Sequence, residues 1–437
     1  MQNIDTLLHA RWIIPVDDNN RYLEQHCIAI KDGKILAILP SADAKTQFNA
    51  EVNRHYPQHA LIPGLINSHT HAAMNLFRGI ADDLSLMDWL ENHIWPAEAK
   101  HVNENFVQTG TELAVAEMLR GGTTCFNDMY FFPDITARVA ADTGIRACVG
   151  LIVIDFPTVW ANNSEEYINK GLDVFDRYKS HEMIKTAFAP HAPYTVSDEP
   201  LQRVRTLADE LELNIHMHVH ETAFEVTQAE KNSGQRPLTR LNELGLLSPS
   251  LQAVHMTQLN DDEIKLLAET RAHVIHCPES NMKLASGICP VTNLLDAGIN
   301  VALGTDSSSS NNDQDMFGEM RSAALLAKIS TMDATAVSAE QALQMATING
   351  ARALGMEENT GSLEAGKFAD IVAVNFDTIE TLPVYDPISH LVYSCSRQQV
   401  SDVWIAGKQR LTDRVLNTID ENKLKENCNK IFDKINN

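Results

Sequence analysis

Eight short apolar runs, separated by segments of helical periodicity, constrain the fold of this chain more than any other feature of its sequence. In order they are LIPGLINSHTH, TTCFND, RACVGLIVI, IKTAFAPH, NIHMHV, AVHMT, HVIHCP and VALGTD. Stretches between them, such as ENFVQTGTELAVAEMLRGG and EPLQRVRTLADELEL, repeat apolar residues at the spacing of one helix face. Strands alternating with helices in this number specify an α/β protein, a (β/α)8 barrel of the TIM type. A doubly wound open sheet is the structural rival, but no G-x-G-x-x-G turn follows any of the strands.

The chemistry of the strand ends supports the barrel independently. His69 and His71 close the first run, Asp128 the second, His191 the fourth and His218 the fifth. His255, His276 and Asp306 fall at or near the ends of the last three. A barrel of this type assembles its active site from the C-terminal ends of its strands. Polar residues scattered at random would not line up there.

Both termini read differently. TLLHARWIIPV and CIAIKDGKILAILP, with a hairpin signal at Asp32-Gly33, are strand-like, as are GKFADIVAV and QQVSDVWIAGKQRL with a turn at Ala406-Gly407. These segments are expected to pack together as a small β-sandwich formed by residues 1–62 and 368–437, flanking a catalytic barrel of residues 63–367. At 437 residues the chain is long enough for both units.

Fifty-eight Asp and Glu against 35 Lys and Arg give a formal charge of −23, which repels phosphate backbones and argues against a nucleic-acid polymer as partner. No apolar run reaches the roughly 18 residues of a membrane span, and the opening residues carry no secretory signal, so no membrane partner is expected. Seven scattered cysteines without a C-x-x-C pair fit reduced thiols in a cytoplasmic protein. A homo-oligomer is compatible with all of this and required by none of it.

His69 and His71 lie two apart on a strand and so face one side, where both imidazoles reach one ion. Alone such a pair is weak. The fifth run, NIHMHVHETAFE, adds His216, His218 and His220 at period two, of which at least one serves structure rather than ligation. Glu221 follows where strand gives way to loop, a place from which a carboxylate can overhang an ion without binding it. The eighth run ends in Gly304-Thr305-Asp306, and a carboxylate facing three imidazoles completes a set of nitrogen and oxygen ligands. Such a set suits one divalent ion, zinc first, with iron or manganese as alternatives. A bound divalent ion lowers the pKa of its water to about 7, and a nearby carboxylate can then shuttle protons.

Taken together, PGLINSHTHAAMNLFRG, WLENHIWPAEAKHV, APHAPYTV, HMHVHETAFE, HCPESNMKLASGICP, LGTDSSSSNND and ARALGMEENTGSLEAGKFADIVAV resemble the amidohydrolase superfamily. The branch is that of 5′-methylthioadenosine and S-adenosylhomocysteine deaminases, and the likeness spans nearly the whole chain. It implies metal ligation by His69, His71, His218 and Asp306, with Glu221 as proton shuttle. His255 would polarise the water or stabilise a developing oxyanion, and Asp306 would also take a proton from the water. The implied reaction is hydrolytic deamination at C6 of adenine in a small nucleoside. Glu98 matches a residue that binds ribose hydroxyls, and His191 a ribose-side contact. Trp89 is placed to stack on the base, with a buried core tryptophan as the plain alternative. Ser310, in the serine-rich loop after Asp306, is a further candidate substrate contact.

Two absences and a departure sharpen the resemblance. Binuclear relatives carry a carboxylated lysine at the end of the fourth strand, where this chain reads AFAPHAP with Lys185 only at the start; one metal is expected. The cytidine-deaminase pattern, H-x-E followed by P-C-x-x-C, is missing. Some S-adenosylhomocysteine deaminases place arginines after the third strand, but GLIVIDFPTVWANN has none, which favours an apolar methylthio substrate. The alternatives are a related hydrolase of a free purine, pterin or s-triazine ring, and a barrel that has lost its chemistry. The glutamate at 98 argues against the first and the complete ligand set against the second.

Overall fold

A computed structural model describes every residue except 18, 20, 21 and 437. Four strands open the chain: β1 (Gln2–Ile13), β2 (Leu23–Lys31), β3 (Lys34–Pro40) and β4 (Phe48–Pro63). Eight follow in the middle: β5 (Leu65–Thr70), β6 (Thr123–Met129), β7 (Arg146–Val153), β8 (Ile184–Pro190), β9 (Asn214–Val219), β10 (Leu251–His255), β11 (His273–His276) and β12 (Val301–Leu303). The last four, β13 (Ile371–Asn375), β14 (Val400–Ile405), β15 (Lys408–Thr412) and β16 (Val415–Leu416), return to the first sheet.

Strands β5 to β12 pair in sequence order, every pair parallel. Their ends meet: the Asp306 amide donates to the His69 carbonyl at 3.0 Å, and Thr70 and Asp306 form a parallel bridge. The eight-stranded barrel expected from the apolar runs is thus nearly closed. Both faces of β6 and β7 are covered, so every residue in them is buried, which is why β7 after its first residue reads as a continuous run rather than an alternating one. Fully buried Phe126 and Phe188 each contribute about 2 kcal/mol of burial. The covering helices start where side chains can cap them. Asn103 accepts the Phe106 amide, Asn163 accepts the Glu166 amide, and Asn260 with Glu263 forms a reciprocal capping box.

A glycine shapes the seam of the barrel. A Cβ on Gly304 would lie 2.7 Å from the His69 nitrogen and 2.8 Å from its Cβ, so only glycine lets β12 approach β5 closely enough to bring Asp306 beside His69.

The terminal segments form one further sheet, in the order β16-β15-β14-β13-β4-β1-β2-β3. It has its own apolar cluster, in which Leu8, Ile13, Ile28, Leu61, Ile371 and Trp404 pack together. Both hairpin signals in the sequence are realised as two-residue turns: Asp32 and Gly33 link paired Lys31 and Lys34, and Ala406 and Gly407 link paired Ile405 and Lys408. All four turn residues have positive φ, as that turn type requires. Among the described residues no helix is long and apolar enough to cross a membrane.

Candidate metal centre and active site

The C-terminal ends of the barrel strands gather histidines around one point. Nε2 of His218 lies 3.2 Å from Nε2 of His69 and 3.3 Å from Nε2 of His71. Oδ1 of Asp306 lies 3.2 Å and 3.3 Å from the same two nitrogens. Ligand atoms about 2.0 Å from a tetrahedral zinc would stand about 3.3 Å apart. All four fall within 4.8 Å of one another.

Hydrogen bonds on the far side of each ring decide which nitrogen faces inward. His71 Nδ1 is 2.5 Å from the Met129 carbonyl, and His218 Nδ1 is 2.7 Å from the His191 carbonyl. A carbonyl only accepts, so both Nδ1 atoms carry a proton, and in the neutral rings both Nε2 atoms present bare lone pairs. Bare lone pairs facing each other at 3.3 Å are repulsive unless a cation lies between them. The donor set therefore fits one divalent ion on its own chemistry, and zinc matches its imidazole and carboxylate composition.

Asp306 is oriented by its second oxygen. Oδ2 accepts hydroxyl protons from Ser280 at 2.6 Å and Ser310 at 2.9 Å, which turns Oδ1 toward the histidines. Ser310 touches Asp306 and is not among the residues lining the cavity beside it. Asp128 braces the end of β5, accepting the Thr70 hydroxyl at 3.0 Å and the Ala72 amide at 2.7 Å. Lys185, at the start of β8, donates to the Gly355 carbonyl and takes no part in the cluster.

The backbone at the site is strained. His220, His255 and Asp306 all have positive φ, at 54°, 74° and 62°, a conformation that costs a residue with a side chain roughly 1 to 3 kcal/mol. For His220 this breaks the period-two alternation of β9. Its Nε2 accepts the Leu238 amide at 3.1 Å, leaving His218 as the ligand candidate and His216 as a neighbour of His69.

A cavity of about 440 Å³ opens over the four ligands. His71, His218, Asp306, Glu221, His255, His191, Glu98 and Trp89 all line it, so the structure brings together every expected site residue except Ser310 and the buried His69. Glu221 and His255 face each other, with 3.8 Å between Oε2 and Nε2, and His255 Nδ1 contacts the Asn281 amide oxygen at 2.8 Å. Burial raises the Glu221 carboxyl above its usual range. Glu98 is buried too, and burial pushes its carboxyl up to about 7 while a hydrogen bond from Tyr130 at 2.8 Å opposes the rise. Burial takes the His191 imidazole down to about 3, so it is neutral at physiological pH. The indole Nε1 of Trp89 has no hydrogen-bond partner among the described residues, which leaves it as a spare donor.

Sequence reasoning missed the supports. Tyr130 lies one residue past a strand end, and its partner Glu98 is distant in sequence. Glu225, whose carboxylate accepts two backbone amides beneath Glu221, reads in sequence as one more helix acid.

Three comparisons bear on this geometry. Residues 60–410 match the model of the amidohydrolase family. A 5-methylthioadenosine/S-adenosylhomocysteine deaminase from Saccharophagus degradans is 50% identical over 95% of this chain and 93% of its own length, and one from Syntrophobacter fumaroxidans is 44% identical over 97% and 96%. A crystal structure of an adenosine deaminase from Xanthomonas campestris with bound zinc superposes with a TM-score of 0.99 at 50% identity, covering 100% of this chain and 99% of that one. A zinc-containing atrazine chlorohydrolase from Arthrobacter aurescens shares the fold, with a TM-score of 0.91 at 24% identity over 98% and 99% of the two chains.

Proposed function

This chain belongs to the amidohydrolase family, and on that premise we propose that it deaminates the adenine ring of 5′-methylthioadenosine, S-adenosylhomocysteine or adenosine, giving the inosine analogue and ammonia. The carrying observation is the pairing, in one cavity, of a four-ligand metal site with the buried carboxylate of Glu98. A free base or triazine offers no pair of hydroxyls to such a carboxylate.

His69, His71, His218 and Asp306 would hold one zinc ion. When bound, zinc supplies Lewis acidity that lowers the pKa of a water molecule to about 7. Glu221 overhangs the ligands and is assigned the proton transfers. It takes the first proton as water attacks C6 and passes it to the purine ring nitrogen beside C6. His255, held by Asn281 and 3.8 Å from Glu221, faces the same point and is assigned to stabilise the oxygen that develops charge at C6. Asp306 takes the second proton of the water and gives it up to the amino group, which leaves as ammonia. Glu98 is assigned the ribose hydroxyls, neutral His191 a ribose-side contact, and Trp89, whose indole N–H has no partner among the described residues, the face of the base. Ser310 acts through Asp306.

Residues 63–367 are assigned as the catalytic unit and 1–62 with 368–437 as its partner, supported by β5 beginning at Leu65 and β13 at Ile371. Seven free cysteines, six of them buried, favour a reducing cytoplasmic setting. The test is to incubate the zinc-loaded protein with adenosine, 5′-methylthioadenosine, guanine and atrazine, following ammonia, chloride and the adenosine-to-inosine absorbance change. Ammonia from the nucleosides alone supports the proposal; turnover of guanine or atrazine with the nucleosides inert overturns it.

A further inference from the structure

The end of β6 carries two consecutive residues that each grip a different part of the site. The carbonyl of Met129 receives His71 Nδ1, and the phenol of Tyr130 donates to Oε1 of Glu98 at 2.8 Å. Tyr130 is itself buried, in an edge-to-face pair with His71 and a tilted pair with Phe131, at centroid separations of 6.5 Å and 5.1 Å. One dipeptide therefore ties a metal ligand to the Glu98 carboxylate.

Glu98 needs such a support. It sits on a short helix, Trp95–His101, in a cavity lining that includes Leu90, Ile94 and Trp95, and the Tyr130 phenol is its hydrogen-bond partner. A buried carboxylate without a donor turns or takes up a proton. Burial holds the phenol well above its usual pKa, so it remains a donor at all working pH values. With one lone pair of Oε1 occupied, Oε2 and the remaining lone pair of Oε1 are left for two further donors.

We propose that Tyr130 is the positioning residue that holds the Glu98 carboxylate ready for the vicinal diol of a ribose, and so sets the preference of this site for ribonucleosides over their deoxy forms. The proposal rests on the reading of Glu98 as the ribose acceptor. A hydrogen bond to a charged group that also aligns it is worth about a tenfold change in binding.

The experiment compares wild type, Tyr130→Phe, Glu98→Ala and the double variant, zinc-loaded, with adenosine and 2′,3′-dideoxyadenosine. Phenylalanine keeps the ring contacts with His71 and Phe131, and zinc content and Tm are recorded for each protein. Tyr130→Phe is expected to raise KM for adenosine about tenfold with kcat changed less than about twofold. KM for the dideoxynucleoside stays as in wild type, and in the Glu98→Ala background the Tyr130 substitution adds nothing. The proposal is overturned if Tyr130→Phe leaves KM for adenosine unchanged, shifts both nucleosides alike, or adds its full effect without Glu98. Should Glu98→Ala change KM for adenosine no more than KM for the dideoxynucleoside, the ribose reading of Glu98 falls, and the role of Tyr130 with it.

Discussion

Nδ1 of His69 lies 2.8 Å from Nε2 of His216, and both rings are fully buried. His69 must present a bare Nε2 to the metal, so its proton sits on Nδ1 and His216 accepts it. His216 then carries its own proton on Nδ1, which has no partner among the described residues. That unsatisfied group is tolerated because it fixes the tautomer and angle of the ligand most deeply buried in the site. His216→Phe should weaken zinc binding about 10- to 100-fold, read by competition with a chelator of known affinity. His216→Gln, which restores an acceptor, should recover part of the loss; zinc affinity equal to wild type in the Phe variant would show that His69 orients itself.

Glu225 does for the proton shuttle what His216 does for the ligand. Its carboxylate accepts the amides of His220 at 3.1 Å and Glu221 at 2.8 Å, pinning the turn in which His220 has positive φ. Glu221→Gln removes the proton carrier and should lower kcat by about 10²- to 10⁴-fold with zinc retained. Glu225→Ala leaves the carrier in place but unpinned, and should fall between that variant and wild type. Combining the two should cost no more than Glu221→Gln alone, since both act on one event. Additive losses in kcat would separate Glu225 from the shuttle.

The two sheets are joined by a buried ion pair. Arg146, at the start of β7, places Nε 2.6 Å from Asp370, whose carboxylate also accepts the Ala406 amide at 2.7 Å and the Thr360 hydroxyl at 3.0 Å. Removing one member strands the other in a dry environment. Asp370→Asn should lower stability by about 3 to 5 kcal/mol, seen as a lower Tm by calorimetry on the zinc-loaded protein. Kinetic constants of the folded fraction should be unchanged, because the pair lies at the opposite end of β7 from the cavity.

The barrel and its ligands were legible because barrel geometry turns sequence order into spatial order. Histidines and aspartates at the ends of apolar runs come to the common mouth, which gathered the candidates, and the family resemblance singled out His69, His71, His218 and Asp306 among them. The supports were not legible, for the opposite reason. Tyr130 meets Glu98, and Asn281 meets His255, through loops and helix starts whose paths no local pattern dictates. Ser310 shows the intermediate case: its loop was placed correctly beside Asp306, but which way the hydroxyl turns depends on the fold of the loop itself.

Glu98 gives the site a pH dependence of definite sign. Burial pushes its carboxyl up to about 7, and only the ionised form offers acceptors to both ribose hydroxyls. As pH rises through that value the carboxylate forms and binding tightens; as pH falls the group protonates and one acceptor becomes a donor. KM for adenosine should therefore rise below about pH 7, while KM for 2′,3′-dideoxyadenosine stays flat. Parallel profiles for the two nucleosides would detach the effect from Glu98.

The far end of the cavity bears on what the enzyme accepts beyond the ribose. The cavity's lining includes Leu86, Leu90, Ile94, Trp95, Phe156 and Val159, and its acids are Glu98, Glu221 and Asp306, with no lysine or arginine among the described residues. Arg146 is spent on Asp370. A methylthio group buries apolar surface against this wall at no polar cost. A homocysteine tail would bring a carboxylate into a cavity that offers it no cation, and an unpaired charge loses its hydration there. The expected outcome is a kcat/KM for 5′-methylthioadenosine at least about tenfold above that for S-adenosylhomocysteine, the size of one charged group left without a partner. Placing a cation at the mouth should reverse part of the difference. Val159, more than a third exposed, can take an arginine whose stem lies on Phe156 and whose head reaches solvent. Val159→Arg should raise kcat/KM for S-adenosylhomocysteine and leave that for 5′-methylthioadenosine within about twofold, an effect that added salt should diminish. Wild-type enzyme that already prefers S-adenosylhomocysteine would show that the tail never enters this end of the cavity.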